Sequence, residues 1–102
     1  DLRNSRVVDI IARLQELGHD VDVHDPQASP AEAKTHFGVD LMTSLDAATG
    51  YDAVVGAVKH REYDALDASD LEGLIGAGGL VADIKGIWRD ITLADSTRRW
   101  QL

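Results

Sequence analysis

Two basic residues, one histidine and a run of glycines carry most of the chemistry this sequence offers. Lys85 follows Asp83-Ile84 at the end of a predicted strand. Open α/β sheets bind ligands outside the carboxyl ends of their strands, and a lysine there meets a phosphate as a point charge. The alternative is a solvated lysine at a strand end. Arg3 stands where the first helix begins, beside free backbone N–H groups and the positive end of the helix dipole. It holds an anion or diphosphate there, or a surface salt bridge with Asp1 or a neighbour. His60 lies just past the most apolar strand, on the same ligand side, and reads either as a ligand residue or as a turn residue that hydrogen-bonds locally.

Other patterns are set aside on geometry. Gly76-Ala77-Gly78-Gly79 follows a helix and opens a strand, whereas a dinucleotide loop follows a strand and opens a helix so that phosphate meets the helix N-terminus. Val81 also holds the place of the last glycine in G-x-G-x-x-G. A helix stop and turn is the role expected of this run. His19, His24, His36 and His60 make no ligand spacing such as H-E-x-x-H, and no metal site is expected. The acids, Asp1 and Asp9 among them, show no pairing for general acid/base work. Cysteine is absent, which removes thiolate ligands, disulfides and a cysteine nucleophile. No catalytic residue is therefore expected in this chain.

The elements that must position these residues alternate. A first helix, Asn4 to Leu17, carries Val7, Val8, Ile10, Ile11, Leu14 and Leu17 at helical spacing, with Asn4 or Ser5 as cap and Gly18 as stop. A strand follows over Val21 to His24 and ends at Asp25-Pro26. Ser29 caps a second helix, with Pro30 at its first position, through about Phe37, and Gly38 closes it. A weak strand spans Val39 to Met42, and Ser44 caps a short helix over Leu45, Ala47 and Ala48 to Gly50. Ala53 to Val58 is almost continuously apolar, which in a parallel sheet means burial on both faces. His60 to Leu66 is a turn or short helix, and Ser69 caps a helix over Asp70 to Ile75. Leu80 to Ile84 is the last strand, and the tail from Ile87, with Trp88 and Trp100, reads as irregular. The connections are too long for hairpins, so the fold class is α/β: a Rossmann-like three-layer α/β/α arrangement with a mostly parallel sheet.

The 102 residues make one domain at most, and 44% hydrophobic content is enough for a small core. A net charge of -8 argues against a nucleic-acid surface, while leaving room for a small anion held by local cations. No apolar run approaches a membrane span and no signal-peptide pattern opens the chain, which suits a cytoplasmic protein.

Such a sheet usually begins with a strand, and this chain begins with a helix. The order predicts a piece of a longer protein, cut just after a strand that would have separated Val21–His24 from Ala53–Val58. An empty slot in a sheet leaves unpaired backbone groups, so closure of the two strands or exchange between copies is expected, with marginal stability.

Asp1-Leu2-Arg3-Asn4-Ser5, Val21-Asp22-Val23-His24-Asp25-Pro26, Tyr51-Asp52-Ala53-Val54-Val55 with Lys59-His60-Arg61-Glu62-Tyr63, and Asp83-Ile84-Lys85-Gly86 form an ordered set. Together, from Asp1 to about Arg89, they resemble the C-terminal, UDP-binding domain of the UDP-glucose/GDP-mannose dehydrogenase family. The ending Arg98-Arg99-Trp100-Gln101-Leu102 resembles members that oxidise UDP-N-acetylhexosamines, with Arg99 where a tyrosine is usual. The resemblance implies oxidation of the sugar C6 alcohol to a carboxylate in polysaccharide biosynthesis, with two NAD reduced per turnover. It implies that Arg3 reaches NAD and that Lys85 contacts the UDP-sugar, where UDP-glucose members carry an arginine. It places the cofactor fingerprint and the catalytic cysteine in an N-terminal dehydrogenase domain, the partner of this one, and implies a homo-oligomer. A phenylalanine-lysine pair that holds substrate in the family would lie before Asp1. By the same resemblance, this chain alone is inactive. A receiver-like regulatory module is the alternative. Lys85 imitates one of its features, but Lys59-His60 stands where its phosphorylated aspartate belongs. A ligand-free structural fragment is a third reading.

Overall fold

Ser29, Pro30 and Gly38 bracket a helix as their chemistry requires. In the computed structural model, which describes residues 6–101 apart from the side chains of residues 36 and 37, Ser29 Oγ accepts a hydrogen bond from Glu32 N at 3.3 Å. Pro30 occupies the first turn, where its missing N–H costs nothing, and Gly38 closes the helix at φ 68°. The chain divides into two compact units, Asp1–Leu45 and Asp46–Leu102.

The first unit holds α1 (Val7–Glu16), β1 (Val23–His24), α2 (Pro30–Phe37) and β2 (Leu41–Met42). Val23 pairs with Leu41 and His24 with Met42 in parallel. Ile11, Ala33 and Val39 are buried, with Val7, Val21, Val23, Ala28 and Leu41 packed around them. The α1 stripe is thus used only in part: Ile11 is buried, while Leu17 at its end is 56% exposed. Gly18 ends α1 in the left-handed region at φ 90°, as expected. The expected caps Asn4 and Ser5 lie outside the described residues, as does Arg3. The expected helix after Ser44 is not formed; residues 46–47 make a turn. This segment is short, and isolated short helices gain too few hydrogen bonds to offset nucleation.

The second unit holds β3 (Tyr51–Gly56), α3 (Arg61–Asp64), α4 (Ala68–Leu74), β4 (Ile75–Asp83) and β5 (Arg98–Gln101), with sheet order β3-β4-β5 and both pairings parallel. Its core is Leu71, Ile75, Val81 and Trp88, ringed by Val54, Tyr63, Leu66, Ile87, Ile91 and Leu93. α4 begins earlier than the sequence predicts. Asp67, not Ser69, is the cap: Asp67 Oδ1 accepts from Asp70 N at 2.8 Å and Asp70 Oδ2 accepts from Asp67 N at 3.0 Å. This reciprocal box satisfies two backbone donors at once, which a lone serine inside the first turn does not.

Three further expectations are corrected. β3 is not buried on both faces. It is an edge of its three-stranded sheet, with Asp52, Ala53 and Val55 exposed, Val55 to 38%. The glycine run is not a helix stop. α4 passes straight into β4 at Ile75, and the glycines form a bulge: Tyr51 pairs with Ile75, but Ala53 pairs with Leu80. Gly78 takes φ 76°, and a Cβ on Gly79 would stand 2.8 Å from the Ile75 Cβ, so the bulge needs glycine at both. The tail is not wholly irregular, because Arg98–Gln101 adds a parallel strand beside Leu80–Asp83.

The α/β class and the parallel pairing of strands hold as expected. The strands are parcelled into two sheets, β1-β2 and β3-β4-β5, and β1 and β3 do not share a ladder, so the expected closure of these strands is not what the described residues form. No helix among the described residues is long and apolar enough to cross a membrane.

Candidate functional site

Parallel pairing brings the carboxyl ends of β3 and β4 to one edge. Gly56 lies opposite Asp83, and Ile84 N donates to Gly56 O at 3.0 Å, extending the ladder by one bond. The residues that follow, 57–60 after β3 and 84–86 after β4, therefore emerge together on the side where open α/β sheets take ligands. Lys85 sits there, exposed, and no hydrogen bond or ion pair ties its ammonium among the described residues. Lys59, also exposed, and half-buried His60 leave the neighbouring strand on the same edge.

His60 follows its local reading. Its Nδ1 accepts from Glu62 N at 3.1 Å and caps α3, and its ring meets the Tyr63 ring edge-on at 5.8 Å between centroids. One ring nitrogen is thus engaged in the fold, which leaves Nε2 as its remaining polar atom.

The turn that carries Lys85 is built from below by Asp83, which is 1% exposed. Its Oδ1 accepts from Ile87 N and its Oδ2 from Trp88 N, each at 2.8 Å. A buried carboxylate is tolerated when both oxygens find donors in this way. Trp88, 3% exposed, then locks the turn to the rest of the unit. Its Nε1 donates to Tyr63 O at 2.8 Å, and its ring lies so close to Gly56 that a Cβ there would stand 2.6 Å from Cζ3. Arg99, from β5, donates to Ile91 O at 2.6 Å and Trp88 O at 3.3 Å. Gly86 takes φ 71° in the same turn, and the Arg89 guanidinium lies over it, 2.6 Å from where a Cβ would be.

The sequence places Lys85 at the end of this strand, and in the structure it lies two residues past β4; the parts played by Asp83, Trp88 and Arg89 in the turn are not read from the sequence. Asp83 is buried on the same face of β4 as Gly79 and Val81. Among the described residues, no group of His, Asp or Glu is arranged to hold a metal ion. The arrangement offers a hydrogen-bonded turn that presents a cation beside two strand ends, chemistry an anion-binding module could use.

The comparisons with known proteins give that module a family. The profile of the UDP-glucose/GDP-mannose dehydrogenase family, UDP binding domain, matches residues 1–90. The chain belongs to this family. It is 40% identical to protein CapL of Staphylococcus aureus over 102 residues, covering 100% of this chain and 24% of that protein. It is 34% identical over 85 residues to the UDP-N-acetyl-D-glucosamine 6-dehydrogenase of Pseudomonas aeruginosa, covering 83% of this chain and 20% of that enzyme. With the enzyme of the same name from Salmonella typhi it shares 29% over 73 residues, covering 72% of this chain and 17% of that enzyme. The chain thus spans a quarter or less of the length of these relatives. No solved structure matches it. Members of the family are NAD-dependent dehydrogenases. The glycine run does not form a dinucleotide loop, because it is a bulge inside β4 and not a strand-to-helix turn.

Proposed function

We propose that this chain is the nucleotide-sugar-binding part of an NAD-dependent UDP-sugar 6-dehydrogenase in polysaccharide biosynthesis, acting in the cytoplasm as part of a homo-oligomer. The observation that carries the reading is the match over residues 1–90 in a chain whose cation Lys85 stands exposed at the carboxyl end of β4. Lys85 Nζ contacts the UDP-sugar as a point charge. Arg3, outside the described residues, reaches NAD that the N-terminal dehydrogenase domain holds. That domain supplies the nucleophile and the hydride acceptor, and this chain supplies binding and orientation. A lysine in place of an arginine gives up the bidentate fork and favours an N-acetylhexosamine over glucose.

Two measurements test this. The chain incubated with NAD and UDP-N-acetylglucosamine yields no NADH above a blank, and turnover by the chain alone contradicts the division of labour. In the full-length dehydrogenase, Lys85→Ala raises KM for the sugar nucleotide while the KM for NAD holds. Loss of a charge-assisted contact costs about 1.5–3 kcal/mol, roughly ten- to a hundredfold in affinity. An unchanged KM for the sugar nucleotide returns Lys85 to the solvated surface.

A further inference from the structure

Among the described residues the exposed lysine at this edge has no partner that fixes it, so its placement depends on the turn beneath it. Turn 84–88 has no regular secondary structure, yet its backbone is held at two points by one side chain. Asp83 Oδ1 takes Ile87 N and Oδ2 takes Trp88 N, both at 2.8 Å and out of water. Trp88 transmits that anchorage to Tyr63 O and to the face of Gly56, at the end of the neighbouring strand. We propose that Asp83 is the positioning residue of the site: its buried carboxylate folds the 84–88 turn over the carboxyl edge and so aims Lys85 at the phosphates of a nucleotide sugar. The inference rests on the reading of Lys85 given above.

The chemistry is specific to a carboxylate. Ionised, it is an acceptor at both oxygens and meets two N–H donors. An amide of the same shape presents an acceptor and a donor, so Asp83→Asn sets an NH₂ against either Ile87 N–H or Trp88 N–H. The turn must then rearrange, although Lys85 and every other cation are retained.

A double-mutant cycle reads this directly. UDP-N-acetylglucosamine is titrated by calorimetry into the 102-residue chain and into its Lys85→Ala, Asp83→Asn and doubly substituted forms. Lys85→Ala weakens binding about ten- to a hundredfold. Asp83→Asn alone weakens it by a comparable factor, and the double variant binds no more weakly than either single one, because a misaimed lysine has little left to lose. A merely structural role for Asp83 lowers the melting temperature but leaves the two effects on affinity multiplicative, and that result overturns the inference. A weakened Lys85→Ala beside an unaltered Asp83→Asn overturns it as well, while sparing the reading of Lys85. An unaltered Lys85→Ala overturns both. If Asp83→Asn does not melt cooperatively, Gly86→Ala takes its place. It opposes the φ of 71° in the same turn and removes no charge, its new Cβ meeting only the end of the Arg89 side chain. Affinity lost in Gly86→Ala and not lost further on adding Lys85→Ala supports the positioning; full affinity in Gly86→Ala overturns it.

Discussion

The two units of this chain are built to different depths. In the first, two-residue strands pair once, and the core reduces to Ile11, Ala33 and Val39 with partly covered neighbours. In the second, a three-stranded sheet packs on fully buried Leu71 and Val81, with Trp88 wedged against Gly56. Its irregular connection from 84 to 97 is tied by side chains at several points. Asp83 holds Ile87 and Trp88, Arg99 holds Trp88 and Ile91, and Glu72 Oε1 accepts from Ala94 N at 2.9 Å and from Thr97 Oγ1 at 3.3 Å. Arg98 Nε donates to Gly78 O at 2.9 Å and secures the bulge. The candidate ligand edge belongs to this second unit. A binding turn is accurate only when its support is rigid, and here the rigidity comes from side-chain hydrogen bonds rather than from helix or sheet.

Trp88 should carry more of the second unit's stability than any other single side chain. Trp88→Ala removes a buried aromatic, the bond to Tyr63 O and the cover of Gly56, and costs about 3–5 kcal/mol. For a domain of this size each 1 kcal/mol lowers Tm by about 4–8 °C. A melt lowered by only a few degrees would mean that Trp88 is not a keystone.

Hydrogen exchange reads the two units without a substitution. The amides of Val54 to Gly56 and Val81 to Asp83 are protected longer than those of Val23, His24, Leu41 and Met42, because the smaller unit opens at lower free energy. Equal protection in both would erase the contrast.

The smallest effect is at the helix ends. Ser29→Ala and Asp67→Ala each cost about 1 kcal/mol. In Asp67→Ala a second bond, from Asp67 N to Asp70, is weakened as well, so it is the larger of the two. Thermal melts of the two variants, run in parallel, check the order.

How far the sequence foretold this varies with how local each signal is. α2 was legible to the residue because Ser29, Pro30 and Gly38 are local signals that need no tertiary help. Lys85 was legible because the position of a strand end follows from the strand. β5 was not: Arg98-Arg99-Trp100-Gln101 lacks apolar alternation, and its strand state comes from the ladder offered by β4, with Trp100 left 49% exposed. The burial of Ala53–Val58 was overestimated because an apolar run does not say whether its strand is central or at an edge. Asp83 was hidden by its type. An aspartate at a strand end reads as a surface group until the two amides it serves are brought into place by the turn.

On the proposed function, the edge carrying Lys59, His60 and the 84–88 turn binds the nucleotide part of a UDP-sugar. Titration of the ¹⁵N-labelled chain with UDP, with UDP-N-acetylglucosamine and with acetyl phosphate as a control tests it most directly. Both uridine nucleotides should give saturable shifts concentrated at residues 57–60 and 84–88, absent in Lys85→Ala at the same concentrations, and acetyl phosphate should give no response. Shifts that leave those segments unmoved, or a response to acetyl phosphate alone, would contradict it.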